Sequence, residues 1–169
     1  MFEINDKVLY GTDGVCVVED IAQRTFGGVA ETYYVLKPYS KSLSSIMIPV
    51  SNEHLVSRIR KLLTRDEVLS LIDRITDENG IEWIDDQKKR REEYRAIVMR
   101  GVREELVGMI NVIYEHGEKQ KEIGKKIHAQ DERILSDAER ILYDEFSVVL
   151  GIARDEVLDY IKSRVRAAK

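Results

Sequence analysis

Lys7-Val8-Leu9-Tyr10, the turn residues Gly11 to Gly14, and Val15-Cys16-Val17-Val18-Glu19-Asp20-Ile21 open the chain as short apolar, β-branched runs separated by glycine. The grammar continues outward. A Gly27-Gly28 turn signal leads to Thr32-Tyr33-Tyr34-Val35-Leu36-Lys37, and Pro38 to Ser45 separates that run from Ile46-Met47-Ile48-Pro49-Val50. Strand formers in this density, with glycine where the chain must reverse, predict a small antiparallel β-barrel. Pro49 belongs on an edge or at a strand end, because it has no N–H to give a ladder. Barrels of this size close imperfectly and leave an edge strand that another protein's sheet can extend.

From Thr64 the period changes from two to that of a helix. Thr64-Arg65-Asp66-Glu67 has the form of a capping box, and Val68, Leu71, Ile72 and Ile75 follow at three- and four-residue spacing. Asp77-Glu78-Asn79-Gly80 is expected to end that helix. Further helices are read from Leu106, Ile110 and Ile113, from Leu135, Ala138, Leu142, Phe146 and Val149, and from Val157, Ile161 and Val165. Gly101, Gly117 and Gly151 are expected near helix ends. Charge density shifts at the same place: residues 1–60 hold six Lys or Arg and seven Asp or Glu, the remainder 21 and 24. The expectation is an α+β chain of two domains, a Tudor-like or SH3-like β-barrel over residues 1–62 and an all-α domain of about five helices over 63–169.

Net charge −4 over 169 residues argues against a polyanion-coating protein, since non-specific DNA binding rests on surplus cations. One cysteine, Cys16, allows neither a disulfide framework nor a thiol pair for metal, and it reads as a small strand residue in a core. No run approaches a membrane span and the first residues lack a signal-peptide pattern, so a cytoplasmic protein is expected. No phosphate loop, His-x-x-x-His, Cys-x-x-Cys or nucleophile elbow is present, and the three histidines, His54, His116 and His128, are scattered. Nothing points to catalysis or to a cofactor.

One local feature stands out from the acidic background. The single tryptophan, Trp83, precedes Lys88-Lys89-Arg90-Arg91, with Arg95, Arg100 and Arg103 beyond. At about 100° per residue, Lys88, Arg91 and Arg95 share one stripe of a helix while Tyr94, Ile97 and Val98 face a core. A flat aromatic group beside cations suits a nucleic acid, the ring stacking on or wedging between bases while the cations hold phosphates. A core tryptophan beside a solvated charged face is the bland alternative.

These residues resemble a known family. Met1-Phe2-Glu3-Ile4-Asn5-Asp6-Lys7-Val8-Leu9-Tyr10-Gly11, Gly14 to Ile21, Tyr33-Tyr34-Val35-Leu36-Lys37-Pro38 and Ile48-Pro49-Val50 are similar to the CarD/CdnL family of bacterial transcription regulators, in the form found in Firmicutes. The likeness continues through Leu71 to Ile75, Trp83, Tyr94, Ala138 to Tyr143, Leu150-Gly151-Ile152 and Tyr160-Ile161. It implies a barrel that docks on the RNA polymerase β subunit, partly edge to edge, and a helical domain facing upstream promoter DNA. It also implies that Trp83 enters the minor groove at the upstream edge of the bubble and supports the open complex. Arg24 and Phe26 match polymerase-contacting positions, and Met47 stands where the family has a second basic contact. On the DNA side, Ile84-Asp85-Asp86-Gln87 separates Trp83 from the cations, so Lys88, Arg91 and Arg95 rest on helical geometry. A monomer is the expected state. The competing reading keeps the docking barrel and makes the helical domain a protein adaptor.

Overall fold

Gly27 and Gly28 both take positive φ, 59° and 83°, the backbone combination that a two-residue hairpin turn requires and that side chains resist. They join β2 (Gly14–Phe26) to β3 (Val29–Pro38), paired antiparallel from Cys16 opposite Pro38 to Phe26 opposite Val29. One irregularity, between Val18 and Asp20, shifts the register. The computed structural model describes residues 1–39, 44–75 and 80–167. Residues 40–43 of the expected Pro38 to Ser45 connection and 77–79 of the expected helix break lie outside these. Two compact units result, Met1–Leu63 and Thr64–Lys169.

In the first unit, β1 (Lys7–Tyr10), β4 (Ile46–Pro49) and β5 (Ile59–Lys61) complete a sheet of order β4-β3-β2-β1-β5, with a four-residue helix α1 (Glu53–Val56) between β4 and β5. The sheet stays open: among the described residues, the outer edges of β4 and β5 have no partner strand. β5, three residues long, is too short to show a period and escaped the sequence reading. Val8, Tyr10, Cys16, Val18, Tyr34, Leu36, Ile48 and Ile59 form the core, in which the Cys16 thiol is fully buried. Pro49 is the last residue of the edge strand β4, where its missing donor costs nothing.

The second unit holds α2 (Arg65–Asp73), α3 (Gln87–Arg100), α4 (Arg103–Glu122), α5 (Ala129–Leu150) and α6 (Val157–Ala167). The capping box forms as written: the Glu67 amide donates to Thr64 Oγ1 at 3.3 Å and the Thr64 amide to the Glu67 carboxylate at 2.7 Å. Thr64→Ala removes the first of these and is expected to cost about 1 kcal/mol, read as a lower urea midpoint with an unchanged slope. Gly101 and Gly151 cap α3 and α5 in the left-handed conformation, with φ 61° and 70°. Gly117 departs from expectation, since it lies inside α4, which runs on to Glu122. A Cβ there would meet Ile127 Cγ2 at 3.3 Å, so close packing explains this glycine.

α5 is the central helix and touches α2, α3, α4 and α6. Its buried arc is therefore wider than a single stripe. Ile134, Ile141, Asp144 and Glu145 are buried along with Ala138, Leu142 and Phe146, whereas Leu135 and Val149, expected in the core, are only half-buried. Asp144 and Glu145 have partners. Arg103 reaches Glu145 at 2.7 and 3.0 Å, and Arg154 reaches Asp144 at 2.7 Å.

Candidate functional site

Trp83 lies in an irregular segment, 80–86, that owes its shape to side chains of α3. Tyr94 Oη donates to the Glu82 carbonyl at 2.9 Å, and Arg90 Nη1 donates to the carbonyls of Ile84 at 2.6 Å and Asp85 at 3.2 Å. Asp86 then caps α3, accepting from the Lys89 amide at 2.7 Å. The acidic pair ahead of the basic run thus has a structural component, because Asp86 satisfies an orphan donor of the first turn. Gly80, at φ 67°, begins the segment.

The indole is covered on its faces. His116, on α4, stacks on it with centroids 3.5 Å apart and planes 8° from parallel. The Arg90 guanidinium lies over the ring at 4.2 Å, and since a group on the same side would overlap the imidazole, it takes the other face. Tyr94 meets the ring edge-on at 6.5 Å. Trp83 keeps partial exposure.

Arg90 is itself one of the least exposed residues of the unit, at 2%. Its Nε and Nη2 form a two-pronged bridge with the carboxylate of Asp131, on α5, at 3.0 and 2.9 Å, the planar geometry that arginine supplies and lysine does not. Burial of the His116 ring, and after it the charge of Arg90, holds its imidazole below the ordinary value. A polar depression beside the stack is lined in addition by Gln87, Gln120, Lys126 and His128.

The basic run therefore splits into two populations. Arg90, Arg100 and Arg103 are tied to Asp131, Glu105 and Glu145. Lys88, Lys89, Arg91 and Arg95 have no ion-pair partner among the described residues, and Lys88, Lys89 and Arg95 are exposed. The cation against Trp83 is thus Arg90, which sequence reasoning left out. Arg90 sits about 100–160° around α3 from Lys88, Arg91 and Arg95, so the indole packs on the core side of α3 and the three cations point away from that side. His116 and Asp131 were also missed. They lie 33 and 48 positions beyond Trp83 in the chain, and no local period links them to it.

In the first unit, Arg24, Phe26 and Met47 fall on one face of the sheet. Arg24 pairs with Glu31, Phe26 with Val29, and Met47 with Val35. Cross-strand partners share a face, as do alternate residues of β3. Phe26 and Met47 are exposed, 53% and 45%, and Phe26 packs edge-on against Tyr33 at 5.5 Å. Among the described residues, Arg24 makes only a surface contact to Asp20 at 3.4 Å, besides a bond to the Gln23 carbonyl. Met47 lies on the open edge strand β4.

Among the described residues, no group of three or more His, Cys, Asp or Glu could hold a metal, and no helix is long and apolar enough to cross a membrane. Residues 2–62 match the family model of the CarD-like/TRCF RID domain. Over 163 residues the chain is 23% identical to a Bacillus subtilis (strain 168) protein described as "Putative transcription factor YdeB", covering 95% of this chain and 99% of that one.

Proposed function

We propose, from the premise that this is a CarD-like protein, that it regulates transcription by docking on the RNA polymerase β subunit through its N-terminal sheet and by supporting the open promoter complex through its helical unit. The observation that carries the reading is the match of the whole N-terminal unit to a CarD-like/TRCF RID domain. Arg24, Phe26 and Met47 make the docking face, one cation and two exposed apolar groups beside a strand edge that has no partner among the described residues. Met47 replaces a charge with a flexible thioether, which adapts to an apolar contact and gives no ion pair.

At the DNA end, Trp83 serves the upstream fork while Lys88, Arg91 and Arg95 contact phosphates. Opening a promoter separates on the order of ten base pairs at about 1.4 kcal/mol per step, and one aromatic stack contributes roughly 1–3 kcal/mol. A single indole therefore cannot melt DNA, yet it suffices to slow closure of a bubble that polymerase has opened. Three phosphate contacts give a salt slope of only about −2.7, which is weak binding in isolation. Tethering to polymerase raises the effective concentration to about millimolar, and this reconciles an acidic protein with a DNA contact.

The adaptor reading has one observation in its favour. An apolar depression between α4, α5 and α6 is lined by Ile75, Val107, Ile110, Phe146, Leu158, Ile161 and Val165. Footprinting separates the two readings, since a DNA-contacting unit extends protection upstream of polymerase alone and an adaptor leaves it unchanged. Arg24→Glu is expected to weaken capture of core polymerase at least about tenfold, on the order of 1.4 kcal/mol. Undiminished capture by that variant removes Arg24 from the docking face.

A further inference from the structure

As held in the free protein, Trp83 has no open face, and a base stacks by occupying one. Resting on the reading that Trp83 serves at DNA, the question is which cover leaves. The two are held very differently. Arg90 is buried, bridges Asp131 and donates to two carbonyls, so moving it strands a buried carboxylate. The His116 side chain has its stack on the indole and no hydrogen bond among the described residues. Its ring lines the polar depression together with Gln120, Lys126 and His128, open space beside the stack toward which an imidazole can turn.

We propose that His116 holds the place of a nucleobase: it covers the accepting face of Trp83 in the free protein and yields it to an unpaired base, while Arg90 stays fixed behind the indole. The exchange replaces one stack by another, so the ring is shielded from indiscriminate contacts until polymerase presents a separated strand. Acidification loosens the cover. The charged groups facing His116 are Arg90 of α3, Asp85 ahead of α3, Asp131 of α5 and Lys119 of its own helix, with Lys126 and His128 across the depression. Burial and the cations outweigh the acids, so the proton is disfavoured on the stacked ring. A released imidazole titrates near its ordinary value of about 6.5. The stack is therefore at full strength above that pH and weakens as pH falls below it.

Trp83 is the chain's single tryptophan, so its fluorescence reports this ring alone. In acrylamide quenching of the full-length protein, the wild type is expected to be shielded at about pH 7.5 and more open at about pH 5.5. His116→Phe stays shielded at both and His116→Ala open at both. In polymerase–promoter complexes, His116→Ala lengthens and His116→Phe shortens open-complex lifetime, each about threefold, the size of one aromatic pair. Equal quenching of wild type and His116→Ala at the higher pH overturns the proposal, as does a shortened lifetime in His116→Ala. Should Trp83→Ala leave lifetime unchanged, the DNA reading falls and this inference with it. Should Trp83→Ala and His116→Ala both shorten it, the DNA reading stands and only the displacement of His116 is lost.

Discussion

Asp131→Ala is expected to destabilise the helical unit by about 3–5 kcal/mol, because it leaves the Arg90 guanidinium buried without its carboxylate. That is a large fraction of a typical domain's stability, and it lowers the melting midpoint of the unit by at least about 10 °C. The side chains of Arg90 and Asp131 are each 3% exposed, so solvent does not take over the vacated role. The pair also links α3 to α5 across 41 positions while Arg90 holds the Ile84 and Asp85 carbonyls. Its loss therefore frees the Trp83 segment as well, visible as a shift and broadening of Trp83 emission. Arg90→Met with Asp131→Leu is expected to recover most of the stability, since apolar replacement of both partners removes the stranded charge. It is not expected to restore the emission, because the cation over the indole is gone. A single Asp131→Ala melting within about 1 kcal/mol of wild type contradicts this account of the pair.

Trp83→Ala is expected to shorten the lifetime of polymerase–promoter open complexes about tenfold, the consequence of losing roughly 1.4 kcal/mol of stacking. On the proposed docking face, polymerase capture would rest on Arg24, Phe26 and Met47 of the other unit, and so it provides the control that the variant still docks. Local stability falls too, because His116 and Arg90 lose the ring between them. Measurement well below the melting transition keeps that effect apart from the kinetic one. Neutralising Lys88, Arg91 and Arg95 together should act differently, reducing the salt slope by about 2.7 and weakening promoter contact across sequences alike. An unchanged lifetime in Trp83→Ala rejects the role assigned to the indole.

How much of this could be read from the chain depended on the distance over which each feature is encoded. The Gly27-Gly28 hairpin, the Pro49 strand end and the Thr64 capping box are each decided within four residues, by sterics or by a hydrogen bond to a near neighbour. All three are found where the residues point to them. Gly117 misled because a glycine needed for packing against Ile127 looks, in sequence, the same as one that ends a helix. On α5, a single stripe was expected, yet four helices surround it and bury most of its second half, the acids Asp144 and Glu145 included. Periodicity describes one face, and it does not count how many neighbours a helix has.

The sequence by itself determined the change from strand to helix near residue 64, most of the apolar positions that make each unit's core, and the shared stripe of Lys88, Arg91 and Arg95, because these follow from the period of an element and the reach of a single turn. Only the tertiary structure decided that Arg90 is a buried strut rather than another surface cation, that Asp131 is its partner, and that His116 lies flat on Trp83. Those contacts depend on how α3, α4 and α5 are brought together. Packing of distant elements pairs residues that have no regular spacing, and desolvation then makes the pairing strong.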